Sequence, residues 1–529
     1  MTAERAALTV GLVLIVLGGV ARFVHLDRHF YFHDEATTSL YLSGSTWADF
    51  EHEASSRTLT AADLGQYQRA GSNGGFVTAL RHETQGNPQH PPLFYAAAWI
   101  WAAIAGSSIA SLRALAAIFG LLVLPCVFWL GRELFDTSGP AWLAAGLTAI
   151  SPFQVLYSQE AREYSLWAAT AALASAALLF ALRRRTRTVW AVYALCVALA
   201  LYTFPLSVLV LAAHAVYVAL CARRSIRAFV IAGGIALIAW LPWVILAGRH
   251  SSAFRAGTNW TSETIPFASL LKSWLIALAA NVVDKRGDTG LGPAVSVLLA
   301  AAVAAQLIAV AFVWLRGPRR AAFLLSLLFA ASFLSLALTD LARGGVRSAV
   351  PRFIVPAYLA LTLALGYLMF RGLASKTPAA RIGAVALAAG AVACAAVSYA
   401  HEASARVWWN QDDGAAPENR AVADSLNSQR HVFLLATGGG ALLELTNYLR
   451  PETRLRLVLN GVPPRVPAGT EEVFAYGSPA TPVAADRLRR LLATLRARGA
   501  DVTVVDLKPV CCGADIRHLP NQFWRLSER

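Results

Sequence analysis

A polytopic α-helical membrane protein with a small α/β domain at its C-terminal end is the fold class that the sequence predicts. Three observations carry this. Of 529 residues, 57% are hydrophobic and 15% charged, where a soluble chain carries about 25% charged residues. Apolar stretches such as 8–20, 112–130 and 294–315 recur along the chain, each near the roughly 20 residues that cross a hydrocarbon core. The final stretch, from about 401 to 529, turns polar and mixes short β-like runs with helical patterns.

The first apolar stretch reads as span one rather than a cleavable signal. Its basic flank is thin, Arg5 alone, and no small-residue cleavage site leads into a soluble domain. Four basic clusters then set the topology: Arg183, Arg184, Arg185 and Arg187; Arg223, Arg224 and Arg227; Arg316, Arg319 and Arg320; and Arg371, Lys376 and Arg381. The positive-inside rule places all four, Arg132 and the N-terminus in the cytoplasm. Spans near 8–24, 113–130, 140–156, 164–182, 190–204, 205–221, 226–246, 293–315, 321–339, 351–370 and 381–399 satisfy that parity, about eleven crossings by the length criterion. Two more apolar segments, 91–106 and 267–283, break the parity if either crosses alone. They read as helices in the outer interface; if both cross, the count rises to about thirteen.

The chain therefore divides at about residue 400, into a membrane domain of 1–400 and an extracytoplasmic domain of 401–529. In the latter, β-like runs at 432–435, 455–459, 473–476 and 502–505 alternate with helical patterns that include 484–498. Gly438-Gly439-Gly440 follows a strand and precedes a helix. It reads as a tight strand-to-helix turn rather than a phosphate loop.

The net charge of +15 is not read as nucleic-acid binding. Lysine occurs only at Lys272, Lys285, Lys376 and Lys508, and much of the arginine excess lies in short loops, as topology requires. Most of the six cysteines lie in apolar spans and read as small core residues. Cys511 and Cys512 are adjacent, but no framework of spaced cysteines exists. The Ala- and Arg-rich composition suits a bacterial inner membrane, with the C-terminal domain periplasmic.

Charge is almost absent from the middles of the spans. His214 is the nearest exception and reads as a packing residue. A secondary transporter needs ionisable groups near the bilayer midplane, so this emptiness argues against one. The polar chemistry gathers instead in the outer loops, the depth of lipid headgroups.

Four outer clusters stand out. Phe30-Tyr31-Phe32-His33-Asp34-Glu35 follows span one; acidic residues also favour a helix start, and the pattern leaves both readings open. Gly86-Asn87-Pro88-Gln89-His90-Pro91-Pro92 opens the first interfacial helix, with His90 a ligand, a proton carrier or a cap. Tyr157-Ser158-Gln159-Glu160-Ala161-Arg162-Glu163-Tyr164 packs charge into a short loop between apolar spans, which favours function over solvation. Arg343, Arg347 and Arg352 lie on the outer side against the positive-inside trend. Arginine suits bidentate phosphate recognition; a phospholipid headgroup is the plainer partner.

These motifs, in this order, resemble a known family. Asp34-Glu35 after the first span, His90-Pro91-Pro92-Leu93, Tyr157-Ser158-Gln159-Glu160-Ala161-Arg162 and Arg352-Phe353-Ile354-Val355-Pro356 look like a glycosyltransferase of the GT-C fold. The likeness is to family 39, which includes the protein O-mannosyltransferases and the aminoarabinose transferases acting on lipid A. It covers roughly residues 1–400. The resemblance implies a sugar on a polyprenyl-phosphate donor, transferred with inversion to an acceptor hydroxyl on a lipid, a glycan or a protein.

Asp34 matches the family's first-loop aspartate and would be the general base. Glu35 would orient Asp34 or the acceptor, and Glu160 would be a second polar contact. Arg162, Arg347 and Arg352 are candidates for the donor phosphate, neutralising charge on the leaving group. His90, Tyr31, Tyr157 and Tyr164, with Trp47, are candidate substrate contacts, although interfacial aromatics commonly just anchor spans. Some family members use a divalent cation. Asp34, Glu160 and His90 are the candidate ligands for Mg, Mn or Zn, with Glu35 beside them, and no spacing demands one. Two other readings stay open: an oligosaccharide ligase with a lipid-diphosphate donor, and a lipid transporter or flippase.

Overall fold

The computed structural model describes residues 2–284, 293–404, 416–477, 482–505 and 523–527. Lys285, Lys508, Cys511 and Cys512 lie outside the described residues. Among those described, eight helices are long and apolar enough to cross a membrane: Ala3–Ala21, Ile109–Leu134, Tyr164–Arg184, Arg223–Arg249, Pro293–Arg316, Arg319–Arg343, Val355–Leu373 and Pro378–Ala403. Three more expected spans recur as shorter apolar helices, Gly139–Ile150, Arg187–Thr203 and Ser207–Cys221. The chain is a multi-pass helical membrane protein.

One expectation is corrected. The span read at 140–156 is not one helix. It breaks at Ser151, whose backbone is extended (ψ 124°), and restarts as the seven-residue helix Pro152–Ser158. Proline has no N–H and pushes the residue before it out of the α region, so Pro152 ends the first piece. Arg22 then takes up the carbonyls left open. Its guanidinium donates to the Ala149 carbonyl at 2.5 Å, the Gly18 carbonyl at 2.7 Å and the Thr148 carbonyl at 3.2 Å.

The first helix packs on Gly139–Ile150 through small residues. A Cβ at Gly11 would meet the Trp142 carbonyl, and one at Gly18 the Ala149 carbonyl. Lipid gives no hydrophobic drive to helix pairing, so close backbone approach supplies it by dispersion.

Contacts sort the two ends of the bundle. At one end lie the start of the N-terminal helix and members of two arginine clusters, Arg183 and Arg320. Glu4 binds Ser138 at 2.8 Å, Glu133 binds Arg183 at 2.6 Å and Asp136 binds Arg320 at 2.8 Å. At the other end lie both flanks of the helix Leu93–Ala105. His90 precedes it and meets Glu163 at 2.6 Å; Arg113 follows it and meets Glu35 at 2.5 Å. That helix therefore returns to the face it left.

Phe267–Ala279 behaves alike. Ser262 before it binds Arg347, and the Asp284 N–H after it donates to Ser398 near the end of the last span. Between these, Asn281 reaches into the bundle to Gln306 (2.9 Å) and Thr362 (3.0 Å). Both segments read as interfacial thus begin and finish at the same end of the bundle.

The six-stranded sheet has the order β1-β3-β2-β4-β6-β5. Its strands are β1 (Leu59–Thr60), β2 (Val432–Ala436), β3 (Arg454–Leu457), β4 (Glu472–Tyr476), β5 (Asp501–Val504) and β6 (Phe523–Ser527). β3, β2 and β4 run parallel; β6 is antiparallel to β4 and β5. β2 is apolar throughout because both its faces are covered. Phe433 and Leu435 pack on Leu488, Leu491 and Leu492 of the helix Pro482–Ala497. Leu434 and Ala436 pack in a core with Leu40, Phe50 and Tyr67 of the first outer loop. That loop also supplies β1, which pairs antiparallel with β3.

Candidate active site

Two packed helices and a broken loop bring the outer clusters together. The helix His33–Leu42 carries Asp34 and Glu35 in its first turn, where backbone N–H groups and the helix dipole favour acidic side chains. The turn between Ser158 and Tyr164 brings Glu160, Arg162 and Glu163 beneath it, all buried.

Glu35 is held on both oxygens. Arg113 donates to it twice, at 2.8 and 2.5 Å, and the Ala161 N–H donates at 2.8 Å. Arg113 spends its other donors on the carbonyls of Leu26, His29 and Phe30. One buried ion pair thus pins the start of the first loop, the start of the second span and the Glu160 turn to one another.

Arg162 is engaged through both terminal nitrogens, while its buried Nε has no hydrogen-bond partner. It donates to the Tyr95 hydroxyl at 2.9 Å, to Thr38 and the Asp34 carbonyl at 3.3 Å, and to His90 Nε2 at 2.8 Å. Its Nε lies 3.4 Å from Glu163. Because a guanidinium only donates, His90 Nε2 must accept, so Nδ1 carries the proton and donates to Glu163 at 2.6 Å. Burial and then Arg162 hold the imidazole below its ordinary pKa, against the pull of Glu163. For Glu163, burial raises the pKa, but Arg162 and His90 outweigh it and bring the carboxyl to about 2.

Asp34 is the accessible carboxylate, its side chain 29% exposed. Burial disfavours its charge, yet Arg162 and Arg352 win and hold the carboxyl down to about 2. Arg352 lies 3.8 Å from Asp34. It sits over the rings of Tyr164 and Trp260, 5.5 and 5.4 Å from their centroids. Its Nε has no hydrogen-bond partner. Glu160 is pushed the other way. Burial, reinforced by Glu35 and only partly opposed by Arg352, raises it to about 8, so it keeps its proton at neutral pH.

The other expected contacts are placed as follows. Arg347 is tied to Asp340 (3.1 Å), the Gly344 carbonyl (2.9 Å) and Ser262 (2.6 Å). Tyr31 is buried, bonded through its hydroxyl to Ser39 and lying under Arg113. Tyr157 and Tyr164 pack edge to face in the core. Trp47 is half-buried and stacks on His33. His214 is a satisfied packing residue between Ser175 (3.0 Å) and Tyr193 (3.1 Å).

The expected metal ligands do not form a cation site. Both ring nitrogens of His90 are committed. No group of three His, Cys, Asp or Glu side chains converges among the described residues. Residues the sequence reading passed over include Arg113, Tyr95, Glu83 and Trp260. A charge inside the apolar run 109–134 was the available signal for Arg113. Glu83 is buried with neither carboxyl oxygen bonded; burial and then Glu163 raise its pKa well above the ordinary value.

Comparison with known proteins follows this geometry. A family model described as dolichyl-phosphate-mannose-protein mannosyltransferase matches residues 89–246. The match takes in His90, Arg113, Glu160 and Arg162 but not Asp34 or Arg352. No curated protein sequence matches the chain. Among solved structures, ArnT from Cupriavidus metallidurans bound to undecaprenyl phosphate is similar, with a TM-score of 0.51, 13% identity and 97% of each chain covered. An oligosaccharyltransferase from Archaeoglobus fulgidus, tethered with an acceptor peptide, gives a TM-score of 0.47 at 15% identity. This chain covers 64% of that protein's length, with 84% of its own included. The likeness to ArnT over nearly the full length shows the GT-C fold.

Proposed function

We propose that the chain is an inverting glycosyltransferase. It moves a sugar from a polyprenyl-phosphate donor to an acceptor hydroxyl at the outer face of a bacterial inner membrane. The N-terminus is cytoplasmic and the C-terminal domain periplasmic. One observation carries the reading: Arg352, whose buried Nε has no hydrogen-bond partner, stands 3.8 Å from the accessible carboxylate Asp34. An oxyanion and a hydroxyl can meet there on opposite sides of one anomeric carbon. The GT-C fold, and a family model named for a dolichyl-phosphate donor, support the same class.

In this reading Asp34 takes the acceptor proton as the acceptor oxygen bonds the anomeric carbon. The bond from that carbon to the phosphate oxygen breaks, and its electron pair stays on the phosphate. Arg352 balances the charge that grows there. Arg113 spends every donor on protein partners, and Arg162 spends both terminal nitrogens on them. Glu160 is neutral, so it can donate a hydrogen bond to donor or acceptor without repelling the phosphate.

The test uses the purified chain with labelled polyprenyl-phosphate sugars. Release of polyprenyl phosphate together with a glycosylated product is expected. Asp34→Asn should remove product formation, by about 10² to 10⁴-fold for the loss of a general base. A fully active Asp34→Asn variant overturns the base assignment. Turnover with diphosphate-linked sugars alone favours a ligase, and lipid movement across proteoliposomes without a covalent product favours a flippase.

A further inference from the structure

Inversion places the incoming hydroxyl opposite the leaving phosphate. If the phosphate sits with Arg352, the acceptor must be held by other groups around Asp34. The α/β domain braces one of them. Its short helix Gly439–Leu445 docks against the first outer loop, and its glycines permit the approach. A Cβ at Gly439 would stand 2.7 Å from Glu51 Oε1, and one at Gly440 would stand 3.1 Å from His33 Nδ1.

The approach sets Glu444 3.7 Å from His33, the residue next to Asp34. Glu444 is buried and held by the Asn419 amide at 2.6 Å; Asn419 in turn accepts from the Tyr476 hydroxyl. His33 is 56% exposed on its side chain. It stacks on Trp47, centroids 5.5 Å apart and planes 16° apart. Glu51 follows Trp47 by one helical turn, on the same face of Trp47–Ser56.

An aromatic surface flanked by carboxyl groups is the chemistry that recognises a saccharide. The ring packs on the C–H face of a sugar, and each carboxyl accepts or donates to neighbouring hydroxyls. A threonine or serine side chain offers one hydroxyl and no such face. We propose that His33, Trp47 and Glu51 form the acceptor subsite, with the buried Glu444 positioning His33, and that the acceptor is a saccharide. The subsite lies on the first outer loop and is braced by the C-terminal domain, so that domain influences specificity. The proposal rests on the Asp34–Arg352 reading for its orientation, but its binding test does not require turnover.

The experiment uses the full chain in lipid nanodiscs. The probes are a panel of methyl glycosides and disaccharides and a threonine-containing peptide, read by saturation-transfer NMR and tryptophan fluorescence. At least one saccharide should bind saturably and the peptide should not. His33→Ala and Trp47→Leu should each weaken binding about tenfold, the size of one aromatic contact. Glu444→Gln, which keeps shape, should change saccharide preference or raise acceptor KM more than it lowers kcat. Asp34→Asn should lose turnover yet still bind saccharide saturably, which separates this site from the base. Absence of saccharide binding overturns the proposal. Binding that the three variants leave untouched, or a preference for the peptide, overturns it equally.

Discussion

Glu35 and Asp34 are neighbours in sequence with opposite environments, and single substitutions should separate them. Glu35→Ala leaves the Arg113 guanidinium buried without its carboxylate, a change that costs about 3–5 kcal/mol. Thermal unfolding in detergent should show a large drop for Glu35→Ala and a smaller one for Asp34→Asn, whose side chain is 29% exposed. Equal drops would contradict the division. Glu160 makes a pH prediction. Its folded pKa of about 8 exceeds the ordinary 4.5, so folding favours its protonated form. The stability it contributes is full below pH 4.5 and is lost as pH rises towards 8, by up to about 1.4 kcal/mol per unit. Glu160→Gln should flatten that decline in a pH series of unfolding midpoints; an unchanged slope refutes the assignment. The sequence reading found the Asp34, His90, Glu160 and Arg352 clusters because charge in outer loops between apolar spans is conspicuous. It could not divide labour among the arginines. Whether Arg162 or Arg352 keeps free donors depends on partners such as Tyr95 and Glu163, which come from other segments.

At the scale of elements, hydropathy located the helices well because a bilayer enforces about 20 apolar residues per crossing. It missed the break at Ser151-Pro152, since the apolar composition runs on across it. The small-residue seam was equally silent. Gly11, Gly18 and Gly146 look like ordinary span residues until the first helix is seen against Gly139–Ile150. Gly18→Ala should therefore destabilise the fold, by about 1–3 kcal/mol as overpacking against backbone. Gly234 and Gly390, with nothing within 4 Å of a new Cβ, are the controls. Unfolding midpoints should fall for Gly18→Ala and hold or rise for the controls; the reverse order would show that the seam is not a packing constraint.

At the scale of the molecule, the α/β region is not an appendage hung on the last span. The short strand β1 was invisible in sequence, because two residues carry no periodicity; its identity comes from pairing with a strand almost 400 positions away. Arg456 strengthens that junction by donating to the Ser55 and Ser56 carbonyls. Leu59 and Leu455 are opposed across it, both buried in the same core as Leu40 and Phe50. The helix bearing Asp34 thus leans on that core, through Leu40 and Leu42. Leu455→Asp places an unpaired charge in it, and the α/β region should loosen from the first outer loop. Hydrogen exchange should accelerate at 59–60 and 454–457 while the spans stay protected, and transferase activity should fall with it. Faster exchange with undiminished activity would mean that the docking serves stability alone. Slow exchange in the variant would mean that the junction is held from elsewhere.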